Sequence, residues 1–180
     1  MNEEEMRQLD ESPIEQNLFT KEKKREWWGE GEWVNEIDYM SFCHEGIHCE
    51  IKRIMAFEQS GHAFGGHWCG YCMIPKDHPD YDSKEDDFDL DYQVHGGITS
   101  NGHRADEHWI GFDCAHSGDL MPSLVSFKKK YPSPFDIDKK FQIPEKFKEH
   151  SIFNPTYKNL SFVLEETKSL AEQIKEKSIK

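Results

Sequence analysis

Long apolar runs are missing from this chain. None approaches the ~20 residues that a membrane-spanning helix needs, so no transmembrane segment is expected. The N-terminus is acidic and lacks the basic-then-apolar order of a signal peptide, which makes the cytoplasm the expected compartment. Basic residues are scarce: 22 Lys and Arg against 35 Asp and Glu leave a formal net charge of −13. Such a charge repels nucleic-acid backbones and anionic membrane surfaces, so neither is an expected partner. A phosphate-bearing ligand would need local help, from Arg104, the histidines or Lys128–Lys130. Cysteines number only five, odd and without framework-like spacing, which suits reduced thiols better than disulfides. Hydrophobic residues make up only 36%, yet 180 residues suffice to bury the core of one domain.

What the chain does have is concentrated between Val94 and Asp119. Both Val94–Thr99 and Trp109–Cys114 read as short β-strands, since apolar residues alternate along each with the period of two that a pleated strand imposes. Ile110, Phe112 and Cys114 then form a core face, and Trp109, Gly111 and Asp113 point the other way. Taking residues 100–108 as a hairpin loop sets His95 opposite Asp113, Gly97 opposite Gly111 and Thr99 opposite Trp109. This register puts the apolar residues on one side, and a slip by one would bury Asp113.

Opposed side chains in such a pair stand close enough for Asp113 to orient a ring nitrogen of His95, and a His–Asp couple is a candidate acid or base. His116, Ser117, Gly118 and Asp119 follow on a loop able to fold over it. The expected reacting residues are therefore His95, Asp113, His116 and Asp119. The expected ligand-binding residues are Gly96, Gly97, Thr99, Trp109, Gly111 and Ser117, the glycines leaving bare backbone for a ligand to approach. A satisfied polar pair on a solvated sheet face is the competing account.

Around this centre, Ser12-Pro13-Ile14-Glu15 predicts a helix start and residues 1–26 a helical arm. Three tryptophans, at 27, 28 and 33, either pin that arm down or offer a ligand platform. Ile47–Lys52 and His67–Ile74 read as strands. Cys69-Gly70-Tyr71-Cys72 has a zinc-like spacing, but residues 69 and 72 project from opposite faces of a strand, so structural zinc is not expected. Lys76–Asp91 carries eight carboxylates but not the fixed glycine and terminal glutamate of an EF-hand, and reads as a solvated acidic loop. Asp86 or Asp87 could reach a divalent metal beside His95. Residues 121–155 read as an irregular cover. Asn154 and Pro155 then start a helix over 156–177, with Tyr157, Leu160, Val163, Leu164, Thr167, Leu170, Ala171 and Ile174 on one face.

The fold expected is α+β: a small antiparallel sheet of about four strands packed on a C-terminal helix, in a single domain over 27–180 with an N-terminal arm.

The order of motifs resembles an uncharacterised, phage-associated and bacterial family. The residues that carry it are Gly29-Glu30-Gly31-Glu32-Trp33, Asn35–Asp38, Cys69-Gly70-Tyr71, the Pro75–Pro79 turn, His95-Gly96-Gly97-Ile98-Thr99, Gly111–Asp119 and the helix from Tyr157 to Ile174. Cys43, Cys49 and Cys72 fall outside its pattern. The resemblance implies a site at the His95 and Gly111–Asp119 motifs and a setting in a phage host's cytoplasm, where small phage proteins often counter host defences. It implies no particular reaction. Three functions stay open on these residues: hydrolysis of a nucleotide-like small molecule at a His–Asp site, sequestration of such a ligand without turnover, and binding of a host protein through the tryptophan segment and acidic loop. A divalent metal cofactor stays open as well.

Overall fold

A computed structural model describes residues 3–59, 62–84, 87–130 and 155–179. Six antiparallel strands form one sheet, β1 (Ile14–Gln16), β2 (Tyr39–His44), β3 (Ile47–Gln59), β4 (His62–Ile74), β5 (Ser100–Arg104) and β6 (Glu107–Asp113), in the order β1-β2-β3-β4-β6-β5. Among the described residues four α-helices accompany it: α1 (Glu3–Glu11), α2 (Lys21–Trp28), α3 (Pro122–Lys130) and α4 (Leu160–Ser178). The protein is thus α+β, with the C-terminal helix packed on an antiparallel sheet. No described helix is long and apolar enough to cross a membrane.

Alternation builds the main core. Ile51, Trp68, Cys72, Ile110, Phe112 and Cys114 turn to one side of the sheet and meet Val163, Leu170, Ala171 and Ile174 of α4. Each such aliphatic side chain, fully buried, contributes about 1.5–3 kcal/mol. A second cluster, Trp27, Trp28, Trp33, Val34 and Ala63, joins α2 to the sheet. Trp28 is fully buried and donates its indole N–H to the Ala63 carbonyl at 2.7 Å. The tryptophans are therefore core, neither a ligand platform nor an exposed surface for a partner.

Between the two clusters lies a buried charge network. Arg53, only 1% exposed, donates Nε to Asp38 at 2.9 Å, Nη2 to Glu36 at 2.6 Å, and Nη1 to the Gly66 carbonyl at 2.7 Å and the Tyr157 hydroxyl at 2.8 Å. Lys24, also fully buried, pairs with Asp38 at 2.8 Å. Glu36 in turn accepts from Tyr157 Oη at 2.6 Å and from the backbone N–H of Leu160 at 2.9 Å, so the network fixes the start of α4.

Several expectations are corrected. Ser12-Pro13 ends a helix instead of starting one, because the proline ring disfavours helical backbone at the residue before it. Ile14–Gln16 pairs with β2, and Thr20 caps α2 by accepting from Lys23 N at 3.2 Å. Helix α4 is capped by Asn159, which accepts from Phe162 N at 3.1 Å. Asn154 lies outside the described residues. Pro155 precedes an extended stretch in which Thr156 bridges Asp119, so the helix starts later than the first Asn-Pro suggests. The segment read as irregular cover opens with α3, and Pro122 occupies the first helical position, where its missing N–H costs nothing. The rest of that cover, 131–154, lies outside the described residues.

The largest correction concerns register. Residues 94–97 form a turn closed by Gly97 N–H to the Val94 carbonyl at 3.0 Å, and the strand begins at Ser100. β5 pairs with β6 as Ser100↔Gly111 through Arg104↔Glu107, so the hairpin turns tightly at residues 105–106. The polar Ser100-Asn101-Gly102-His103 run looks like a loop, but it is an edge strand, whose outer side can be polar. His95 consequently does not face Asp113, nor Gly97 Gly111, nor Thr99 Trp109.

Candidate functional site

The Val94–Gly97 turn and the loop after β6 bring three of the four expected reacting residues together. Asp119, 7% exposed, accepts from His95 Nε2 at 2.8 Å and from the backbone N–H of His116 at 2.9 Å. His116 Nδ1 stands 3.5 Å from the same Asp119 oxygen and 3.8 Å from Asp113 Oδ1. Asp113 is therefore a neighbour of His116, and Asp119 takes the role expected of it as partner of His95. Lys158 Nζ lies 3.9 Å from the other Asp119 oxygen.

Local structure explains the convergence. Gly96 has φ +72°, a left-handed conformation that side chains rarely adopt, and the His116 ring lies directly against it: a Cβ there would sit 2.1 Å from a ring carbon. Helix α4 fixes His95 from the other side, through Glu166 accepting its backbone N–H at 2.8 Å and through Phe162, whose ring meets the imidazole edge-on at 5.3 Å. Asp113 accepts from Ala115 N at 2.9 Å, a local turn that carries the chain from β6 toward His116.

Beside this cluster the sheet face away from α4 holds a cleft of about 400 Å³, lined among others by His67, Cys69, Tyr71, Thr99, Asp113 and Ala115. That volume lies within the usual range for small-molecule sites. Asp113 links cleft and cluster. His67 belongs to this site and is missing from the sequence-based set, although its alternation with Cys69 and Tyr71 puts it on the same face as Asp113. Burial lowers its pKa, while the Asp113 carboxylate pulls it upward. The Nδ1 atoms of His67 and His116 are both buried without a hydrogen-bond partner among the described residues. A buried polar atom in that condition costs about 1–3 kcal/mol, and a ligand that satisfied it would recover much of this.

Other expected binding residues lie elsewhere. Trp109 is buried, edge-on to His48 at 4.9 Å and beneath the Arg104 guanidinium at 4.8 Å. Arg104 is also paired with Glu50 at 2.8 Å and lies 4.4 Å from the ring centroid of Tyr71, a cleft-lining residue, but has no contact with the three-residue cluster among the described residues. Gly111 offers no opening, since a Cβ there would stand 2.4 Å from the Gly70 carbonyl and 2.5 Å from the Tyr71 ring. Gly97 is open, Ser117 is exposed on the loop, and Thr99 lines the cleft. Asp86 lies outside the described residues; the Asp87 carboxylate accepts from Asp89 N at 3.2 Å and its backbone carbonyl from Asn101 at 2.8 Å, and Asp87 is not among the residues grouped with His95. The Lys128–Lys130 side chains are outside the described residues too.

No cysteine belongs to the His95–His116–Asp119 cluster. Cys69 and Cys72 project to opposite sides of β4, Cys69 toward the cleft and Cys72 toward Thr167 of α4. Burial pushes the Cys69 thiol up to about 12, and the Cys114 thiol, 2% exposed in the core, further still. Cys114 sits between Asp113 and His116 in sequence and yet should resist iodoacetamide in the native protein, because the thiolate is the nucleophile and burial suppresses it. Mass spectrometry of the alkylated peptides checks this. Rapid labelling would show that Cys114 is not enclosed in the core.

Fold and site together define an α+β protein with a two-histidine, one-aspartate cluster that neighbours, through Asp113, a cleft in the sheet face. No protein-family model, curated protein or solved structure matches the chain.

Proposed function

We propose that this protein is a small hydrolase that cleaves a phosphoester bond in a nucleotide-like ligand seated in the cleft. The observation that carries the reading is the His95–Asp119–His116 cluster set beside a cleft of about 400 Å³, with Asp113, 3.8 Å from His116 Nδ1, in the cleft lining. Asp119 engages Nε2 of His95, and Nδ1 has no hydrogen bond among the described residues, so it is the nitrogen with which His95 can accept a proton. In the step proposed, water gives a proton to His95 while its oxygen bonds to phosphorus. The ester P–O bond breaks, and the departing oxygen takes a proton from His116 in its imidazolium form; solvent exchange resets both rings. His67, Tyr71 and Thr99 offer polar and aromatic contacts to the rest of the ligand. The motif resemblance supplies a setting, the cytoplasm of a phage host, where removing a nucleotide signal would blunt a defence.

Turnover separates this reading from sequestration, which the same cleft would support. The protein is incubated with sub-stoichiometric and then excess cyclic nucleotides and ADP-ribose derivatives, denatured, and the small molecules identified by mass spectrometry. We expect product in excess of the protein concentration and its loss in His95→Ala, with the circular dichroism unchanged. Ligand recovered intact, at a fixed ratio to protein, would replace hydrolysis by sequestration.

A further inference from the structure

We propose that His95, His116 and Asp119 form a binding site for one divalent first-row transition-metal ion. The proposal rests on the reading of this cluster as the reacting centre, but not on turnover. Each residue offers one ligand atom, and all three atoms lie within 4.8 Å of one another. Ligands at about 2.0–2.1 Å from a tetrahedral zinc ion stand about 3.3–3.4 Å apart. The His116 Nδ1 to Asp119 distance of 3.5 Å already fits, the His95 Nε2 to Asp119 distance of 2.8 Å needs to open by about half an ångström, and the two imidazoles, whose ligand atoms lie within 4.8 Å of each other, need to close by up to about 1.4 Å.

Two further observations point to a cation here. His116 Nδ1 is buried, has no hydrogen-bond partner among the described residues, and is directed at two carboxylates, Asp113 and Asp119. A proton shared in that geometry would bond one of them; an ion between them satisfies nitrogen and oxygen together. The chain also carries a formal charge of −13, and at this cluster Asp113, Asp119 and Glu166 oppose Lys158 and the histidines. A phosphate-bearing ligand needs a stronger local positive charge than these side chains supply, and a divalent ion provides it.

The surroundings are those of a held ligand set. Lys158 steadies the Asp119 oxygen that faces away from the histidines, Glu166 fixes the backbone of His95, and Gly96 makes room for the His116 ring. Two imidazoles and one carboxylate, with no thiol, favour zinc, manganese, iron or cobalt over magnesium or calcium. With His95 Nε2 and His116 Nδ1 engaged as ligands, neither ring would carry the proton transfers of the hydrolytic step; Asp113, on the cleft side of the cluster, would take the water proton and return it to the departing oxygen.

The test uses the full chain, stripped with chelator and dialysed. Zinc and manganese are titrated separately by calorimetry, and bound metal is counted by inductively coupled plasma mass spectrometry. We expect one ion per chain. Losing a group that merely orients a ligand lowers affinity about 10–100-fold, so His116→Ala and Asp119→Asn should each cost about 100-fold or more, and His44→Ala, remote from the site, nothing. Should Asp119→Asn fail to fold, the unaltered protein still decides. Its cobalt complex should show visible absorption of nitrogen and oxygen ligation without the near-ultraviolet band of a thiolate. Absence of binding, tighter binding of magnesium than zinc, a thiolate band, or affinity untouched in the folded variants would each overturn the metal site. Hydrolysis that persists in chelator with no bound ion would overturn the metal and leave the hydrolase standing. One ion bound without turnover of any nucleotide supports the metal and removes the hydrolase.

Discussion

Replacing Arg53 with methionine should lower unfolding free energy by about 3–5 kcal/mol, the range for removing one partner of a buried ion pair. The guanidinium is enclosed by Asp38, Glu36, the Gly66 carbonyl, the Tyr157 hydroxyl and the Trp68 ring, whose centroid is 4.3 Å away. Methionine fills much of the volume but leaves two carboxylates with Lys24 as their one buried counter-charge among the described residues. Against a total stability of roughly 5–15 kcal/mol the loss is severe, and it corresponds to a fall on the order of 10 °C in Tm for a chain of this size. Calorimetry measures it. A loss below about 1 kcal/mol would mean that water enters to solvate Glu36 and Asp38, and that the network is not closed. The effect should extend to the site, because Glu36 and Arg53 hold Tyr157, whose neighbour Lys158 contacts Asp119.

Gly96→Ala should remove function with a much smaller loss of stability. The left-handed backbone at φ +72° costs a non-glycine residue about 1–2 kcal/mol. The new methyl would also sit 2.1–2.6 Å from three atoms of the His116 imidazole, so the ring must leave its position. A displacement of about 1 Å at a reacting group costs about 100-fold in rate, and this one exceeds it. Gly97→Ala is the control: its φ of +84° imposes similar strain, but nothing lies within 4 Å of the added methyl. Turnover and Tm measured for both variants separate ring displacement from backbone strain. Equal loss of activity in the two would show that the turn, not the contact with His116, matters.

The expected sites were legible where a local pattern carries the information. His95, His116 and Asp119 were all picked out by their place around two short runs, and they meet in space. Their pairing was not legible, because Asp119 reaches His95 only after Gly96 admits the His116 ring and Thr156 bridges back to Asp119. His67 lay on the right face of its strand, but its nearness to Asp113 comes from the β4–β6 register, with Cys69 opposite Asp113.

Alternation at Ile110, Phe112 and Cys114 and the helical spacing of Val163, Leu170, Ala171 and Ile174 were enough to determine, from sequence alone, an antiparallel sheet buried under a C-terminal helix. A side chain's face depends on its own element's period, and that period is written locally. Tertiary structure alone decided that Ser100–Arg104 is a strand, that Asp119 rather than Asp113 holds His95, and that Arg53 and Lys24 are buried. Those outcomes depend on which elements meet and at what offset. An edge strand can be polar, and a charge can be buried once its counter-charges arrive from distant parts of the chain, so neither leaves a periodic trace.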